Sequence, residues 1–190
     1  MEKPVPAPPA GDTDEADLVR LAQEDPSAFA VLYQRYLSCV YNYVRARMGS
    51  EEDAADLTQQ IFLQALNALP AYQARGVPFA AWLFQMAHNA VIDLYRRRKS
   101  FVSWDMLPDI FHAPPGQEDM DALLVHHERL ARLKILLARL DPFERDLLAL
   151  RFAAGLSSPE IAQVVGKSPA AVKKQLTRLL HTLKEQYREQ

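Results

Sequence analysis

The sequence predicts an all-α protein of two small helical domains joined by a flexible linker, the C-terminal one a helix-turn-helix. Apolar residues recur at helical spacing along most of the chain, and candidate helix caps precede those stretches. Residues 100–117 interrupt the pattern with three prolines and a glycine. We therefore predict a disordered arm over residues 1–13, a first domain over 14–100, a linker over 101–118 and a second domain over 119–190.

The composition excludes several classes of protein. Cys39 is the only cysteine, so an internal disulfide is impossible, and a reducing cytoplasm fits this usage. No apolar run approaches membrane-spanning length, and the first ten residues, with four prolines, do not form a signal peptide. The net charge is −2, but residues 61–104 carry 5 Lys/Arg against 1 Asp/Glu, and residues 151–190 carry 7 against 3. These two basic blocks are the candidate contacts for a phosphate backbone.

Two helices are predicted to open the first domain. One runs from about Asp14 to Glu24, and Asp25 followed by Pro26 is a typical start for the next. The second helix is predicted to end near Gly49. Its helically spaced apolar side chains predict a core-facing stripe: Phe29, Leu32, Tyr33, Tyr36, Val40, Tyr41 and Val44.

The third helix carries a polar face of its own. Ser50 is its predicted cap, and the helix runs over about residues 51–69. Asp56, Gln59 and Gln60 lie at i, i+3 and i+4, so they share one side. That side is either ordinary solvated surface or a docking site for a partner protein, and the spacing leaves both open.

A fourth helix is predicted over residues 79–99, after the break at Gly76 and Pro78. One broad face is apolar and predicts core: Leu83, Met86, Ala87, Ala90, Val91 and Leu94. A narrower ridge carries Trp82, Gln85, Asn89 and Arg96, which suit stacking on bases and bonding to base edges. Arg97, Arg98 and Lys99 then follow for phosphates, although a buried Trp and a solvated helix end would explain the same pattern.

The loop before this helix holds Tyr72 and Arg75 beside a flexible Gly76. An exposed tyrosine next to an arginine could hold an unstacked base. Equally, Tyr72 could pack down on the neighbouring helices. Further along, His126-His127 is the only histidine pair, but no carboxylate or cysteine recurs at ligand spacing, so we expect no metal site.

The last fifty residues have the sequence pattern of a helix-turn-helix motif. Asp141 and Ser157 are predicted caps of successive helices, and Gly166 marks a tight turn before a third helix that starts at Ser168-Pro169. On the third helix the predicted inward residues are Val172, Leu176, Leu179 and Leu183. The predicted DNA-facing residues are Ser168, Ala170, Ala171, Lys173, Lys174, Thr177, Arg178 and His181.

Taken together, the motifs resemble the extracytoplasmic-function group of bacterial sigma factors, within the sigma-70 family, over about residues 17–186. The first-domain motifs are Asp25-Pro-Ser-Ala-Phe29, Asp56-Leu-Thr-Gln-Gln-Ile-Phe62, Ala87-His-Asn-Ala-Val-Ile-Asp93 and Arg96-Arg-Arg98. Those of the second domain are Leu140-Asp-Pro-Phe-Glu-Arg145, Gly155-Leu-Ser157, Glu160-Ile-Ala162 and Val172-Lys-Lys-Gln-Leu-Thr-Arg178.

The resemblance implies roles for the surfaces described above. Asp56, Gln59, Gln60 and Phe62 would dock on the clamp helices of the largest subunit of core RNA polymerase, although Glu is commoner at the position of Gln60. The third helix of the second domain would read the minus-thirty-five promoter element, and the flap region of polymerase is a further implied contact of the protein. An anti-sigma factor is an expected partner, and the bacterial cytoplasm is the expected location. The remaining implied role is recognition and melting of the minus-ten element, by Tyr72, Arg75, Trp82, Gln85, Asn89, Arg96, Arg97 and Arg98.

The residues contain no catalytic constellation, so we expect neither an enzyme nor a cofactor. Binding energy to unstacked bases would offset the cost of unpairing them. Two alternatives stay open from the residues alone. One is a helix-turn-helix regulator that binds promoters without joining polymerase, and the other is a helical hydrolase that uses His126-His127.

Overall fold

The structure is a computed structural model, and it describes residues 12–73, 76–98, 129 and 131–188. In these ranges every regular element is helical, as predicted. We call residues 12–98 the N-terminal unit and residues 131–188 the C-terminal unit. The N-terminal unit contains α1 (Asp12–Glu24), α2 (Phe29–Arg47), α3 (Glu51–Ala68) and α4 (Phe79–Arg98), with short 3-10 turns at Pro26–Ala28 and Leu69–Ala71.

Local capping sets where the first helices begin. The Asp25 carboxylate accepts a hydrogen bond from the Ser27 backbone N–H at 2.9 Å, and Pro26 starts the 3-10 turn that leads into α2. The Ser50 hydroxyl accepts from the Asp53 N–H at 3.3 Å and caps α3. Both predicted caps are confirmed, because each depends on only three or four neighbouring residues.

The four helices bury a continuous apolar core in which aromatic rings take a large share. Tyr36, Tyr43 and Phe84 are among the largest fully buried side chains of the described residues. The predicted stripe on α2 is confirmed in five of its positions, while Tyr33 and Tyr41 are only partly buried. The predicted apolar face of α4 also packs inward. Phe84, which was not part of that predicted face, is buried as well.

The C-terminal unit is a second set of helices. α5 covers residues 131–138 and α6 covers Pro142–Leu148, which continues as a π-helical turn over Ala149–Ala153. α7 (Ser158–Val165) and α8 (Pro169–Arg188) complete the unit. Gly155, two residues after the π-helical turn, has a φ of 74°, a left-handed conformation that favours glycine. Phe152, three residues earlier, is 43% exposed, so it does not extend the buried row of Leu147, Leu148 and Leu150.

The two units pack directly against each other. α7 lies on α4, the π-helical turn lies on α2, and buried residues of both units belong to one hydrophobic core. The sequence predicted two domains but not this contact. The predicted linker over residues 101–118, the histidine pair and the predicted arm over residues 1–13, apart from Asp12 and Thr13, lie outside the described residues. No described helix is both long and apolar enough to cross a membrane.

Candidate functional site

The helix-turn-helix of the C-terminal unit is held by a cap at each helix start. Ser157 and Glu160 form a reciprocal capping box at α7, in which the Ser157 N–H donates to the Glu160 carboxylate at 2.7 Å. Gly166 ends α7 with a φ of 66°, and an added Cβ there would meet nothing within 4 Å, so backbone conformation alone favours glycine. The Ser168 hydroxyl accepts from the Ala171 N–H at 3.2 Å and caps α8.

α8 separates its apolar and cationic sides as predicted. Val172, Leu176, Leu179 and Leu183 are all buried. Thr177 donates its hydroxyl proton to the Lys173 carbonyl at 2.9 Å, which orients its hydroxyl oxygen to accept from a ligand. All eight predicted DNA-facing residues are exposed: Ser168, Ala170, Ala171, Lys173, Lys174, Thr177, Arg178 and His181.

The ridge on α4 is also at the surface. Gln85 and Asn89 are exposed, and neither amide has a hydrogen-bond partner among the described residues. Trp82 is half-buried, with its ring centroid 4.8 Å from that of Tyr72 and 5.4 Å from that of Phe79. These contacts fix one side of the indole while leaving part of it accessible. The ridge therefore offers free amide donors and acceptors beside a supported aromatic ring.

The cations at the end of α4 extend this ridge. Arg96 and Arg97 are exposed, and Arg96 lies 3.5 Å from Asp93 in an exposed ion pair of the kind that contributes little to stability. Both guanidinium groups are thus available to a stronger anionic partner. The side chain of Arg98, and Arg75 altogether, lie outside the described residues.

Tyr72 does not offer its ring to solvent. It is buried, and its hydroxyl donates to the Val77 carbonyl at 2.7 Å. The Gln23 amide donates to the Tyr72 carbonyl at 2.7 Å and holds the segment against α1. Burial raises the pKa of the Tyr72 hydroxyl, which stays protonated as this donor. In this conformation the interpretation that Tyr72 packs onto the helices is the correct one, because its ring completes the aromatic cluster under Trp82.

The polar face of α3 is exposed at Asp56, Gln59 and Gln60. Phe62 is buried, and its ring packs edge-on against Tyr33 at 4.7 Å between centroids, so it supports the face from inside the core. The expectation that Phe62 itself contacts a partner does not fit this burial. Leu63, which sequence reasoning missed, is instead 61% exposed among the polar residues. Its spacing of three and four residues from Gln60 and Gln59 was the available signal.

A second group that sequence reasoning missed lies between the two units. Asp146 on α6 is 3% exposed, and it accepts a hydrogen bond from the Tyr43 hydroxyl at 2.8 Å. His88 Nδ1 lies 2.9 Å from the other carboxylate oxygen, and Arg47 Nε lies 3.5 Å from the first. We call Tyr43, Arg47, His88 and Asp146 the Asp146 cluster. Burial, and then the charge of Asp146, raise the pKa of the Tyr43 hydroxyl well above its ordinary value.

The described residues contain no group of three or more His, Cys, Asp or Glu side chains placed to hold a metal ion. The exposed features are instead three surfaces suited to binding: a polar face on α3, an aromatic and amide ridge on α4, and a cationic face on α8.

Comparison with known proteins gives consistent matches along the chain. Residues 32–101 match the model for sigma-70 region 2, and residues 130–183 match the model for sigma-70 region 4. The chain is 34% identical over 182 residues to the ECF RNA polymerase sigma factor BldN of Streptomyces coelicolor, covering 92% of this chain and 67% of that one. It is 31% identical over 183 residues to the ECF RNA polymerase sigma factor SigD of Mycobacterium tuberculosis, covering 93% and 84%.

A solved structure of a relative resembles the whole described arrangement. It is that of CnrH in complex with the cytosolic domain of CnrY, with a TM-score of 0.65 at 28% identity, covering 90% of this chain and 95% of that chain. CnrH of Cupriavidus metallidurans is an RNA polymerase sigma factor that is 29% identical to this chain over 176 residues.

Proposed function

The chain belongs to the ECF RNA polymerase sigma factors of the sigma-70 family, and it is an alternative sigma factor; we propose how its three exposed surfaces divide that work. The α3 face docks on the clamp helices of core polymerase. The α4 ridge captures bases of the opened minus-ten element, and the α8 face reads the minus-thirty-five element as duplex. The observation that carries this division is that each surface is exposed and chemically suited to a different ligand.

The α3 face combines one carboxylate, two amides and an exposed apolar side chain. Asp56, Gln59 and Gln60 supply polar contacts around Leu63, which is 61% exposed. An apolar residue ringed by polar ones is the usual composition of a protein interface, where the apolar residue carries a large share of the energy. DNA is a poor ligand for this face because Asp56, and Glu51 and Glu52 at the helix start, would repel phosphates.

The α4 ridge suits single-stranded DNA better than duplex. Stacking on a half-buried Trp82 requires a base that has left its own stack, and the free amides of Gln85 and Asn89 can bond to the edge of such a base. Arg96 and Arg97 lie about two turns further along the helix, where they can contact the backbone of the same strand. Opening is thereby driven by binding to the unstacked bases.

The α8 face suits the major groove. The small Ala170 and Ala171 at the start of the helix allow a close approach, and Lys173, Lys174 and Arg178 supply cations around it. We further propose that the domain boundaries are those predicted from the sequence, except that the first domain begins with α1 at Asp12. We also propose that the protein acts in the bacterial cytoplasm where polymerase acts, and that a protein partner regulates it. CnrH, solved with the cytosolic domain of CnrY, is the motivating case for a regulatory partner.

The deciding experiment mixes the purified full chain with bacterial core RNA polymerase. We expect co-elution on gel filtration and specific transcripts from a pool of promoter fragments. Asp56→Lys on α3 should abolish co-elution. Asp17→Lys, which makes the same change at an exposed acid on α1, should not. Duplex binding without co-elution would instead indicate a plain helix-turn-helix regulator. Co-elution without transcripts would mean that the α4 ridge does not open DNA.

A further inference from the structure

The segment that follows α3 is tied to α1 by one side-chain amide. Gln23, in the last turn of α1, donates from Nε2 to the Leu69 carbonyl at 3.0 Å and to the Tyr72 carbonyl at 2.7 Å. An amide nitrogen carries two protons, and these two hydrogen bonds use both of them. Leu69 begins the 3-10 turn Leu69–Ala71, and Tyr72 directly follows it. Gln23 therefore holds both ends of this turn against α1.

The turn leads into the ring that supports Trp82. Tyr72 is buried, and its ring centroid lies 4.8 Å from that of Trp82 and 5.9 Å from that of Phe79. The Tyr72 hydroxyl donates to the Val77 carbonyl at 2.7 Å, while its backbone carbonyl accepts from Gln23. The residue is thus fixed at its backbone and at the tip of its ring. Because the rings are in contact, a shift of the Tyr72 backbone would move the surface on which the indole lies.

α1 is suited to act as the fixed support. Its buried side chains Val19 and Ala22 belong to the hydrophobic core, and Ala22 directly precedes Gln23. The Tyr72 N–H donates to the Leu69 carbonyl at 3.0 Å, but that bond lies within the turn and attaches it to no other helix. The match to sigma-70 region 2 begins at residue 32, so α1 lies outside it, and none of the three surfaces includes a residue of α1. Gln23 therefore gives α1 a link to the α4 ridge that the family match does not assign.

We propose that Gln23 is a positioning residue for base capture. It holds Tyr72, and through Tyr72 it sets the height and tilt of the Trp82 indole, without contacting DNA itself. A base stacks well only on a ring whose face is held in place, because a loosely supported ring loses contact area and gives up more conformational freedom on binding. The capture of bases rests on the proposed function, whereas the effect of Gln23 on Trp82 does not depend on it.

Tryptophan fluorescence of the full chain tests the effect on Trp82. The chain has two tryptophans, so Trp104→Phe leaves Trp82 as the only indole. In this background Gln23→Met keeps an unbranched side chain of similar length and helix propensity, and it removes only the amide. We expect the Trp82 emission to shift to longer wavelength and its quenching by acrylamide to rise. Gln34→Met is the matched control, because it makes the same change at an exposed glutamine on α2, and it should leave both signals unchanged.

Strand binding by the holoenzyme tests the role in base capture. The probe is the labelled non-template strand of a promoter recovered in the transcription assay with core polymerase. Loss of base stacking on an aromatic ring lowers affinity about fivefold or more, so Gln23→Met should weaken strand binding by about fivefold. Its affinity for core polymerase should stay that of the wild type. Because Gln23 acts through the indole, Gln23→Met should have no further effect in a chain that already carries Trp82→Ala.

Circular dichroism shows whether each variant keeps its helices, and Gln23→Ala takes the place of Gln23→Met if the latter does not. Unchanged emission and quenching in the folded variant would overturn the proposal. Changed fluorescence with wild-type strand affinity would refute the role in base capture, and additive losses in the double variant would refute action through Trp82. If the wild-type holoenzyme captures no strand, the proposed function fails, while the fluorescence still decides whether Gln23 positions the indole.

Discussion

The cationic face of α8 makes a quantitative prediction about salt. Each phosphate contact adds about 0.9 to the slope of log affinity against log salt on B-form DNA. Lys174 and Arg178 are both exposed on that face, so Lys174→Ala combined with Arg178→Ala should lower the slope by about 1.8. Between 50 and 200 mM salt, the wild type should then lose about twelvefold more affinity than the double variant does.

Fluorescence anisotropy with a labelled duplex measures this slope. Any duplex sequence serves, because the phosphate contribution does not depend on sequence. Arg188→Ala is the matched control, since it removes the same charge from α8 about 21 Å further along the helix axis from Lys174. A double variant with the wild-type slope would refute the assignment of α8 to DNA. If Arg188→Ala changed the slope by as much per removed charge, the effect would come from diffuse electrostatics and not from a contact at this face.

Three further predictions concern the α4 ridge, the α3 face and the cap of α7. Asn89→Ala removes a free amide from the α4 ridge and should impair promoter opening while core binding stays intact. The permanganate reactivity of unpaired thymines measures the opening. Loss of core binding in this variant would contradict the assignment. Leu63→Ala should weaken core polymerase binding at least about fivefold, because truncation of a central apolar contact costs about 1 kcal/mol or more. Leu21→Ala, at another exposed leucine that lies on α1, should leave core binding unchanged. Ser157→Ala should lower the free energy of unfolding by about 1 kcal/mol in urea titrations, because the cap of α7 is lost. Ser158→Ala, at the next residue, should change the free energy of unfolding by less than about 0.5 kcal/mol. Equal effects of the two substitutions would argue against the capping box.

The parts of the fold that local rules control were predictable from the sequence. The cap at Ser157, the left-handed turn at Gly166 and the buried row on α8 all depend on residues within one or two helical turns. Helical spacing also predicted most of the exposed residues of the three surfaces, since a residue opposite a buried stripe faces solvent, but it missed Leu63 and wrongly included Phe62. Helical spacing could not decide whether a loop side chain is buried. The sequence allows Tyr72 to be exposed or buried, and only the positions of α1 and α4 around it decide between the two.

The Asp146 cluster was beyond such rules for a different reason. Tyr43 and Asp146 are 103 residues apart, and only the packing of one unit on the other brings them together. In the sequence, Asp146 appears as one more acid after a helix start, and His88 as part of a family motif. A charged residue that is buried only by a distant part of the chain carries no local signal, because periodicity reports which side of a helix is inward but not which element covers it.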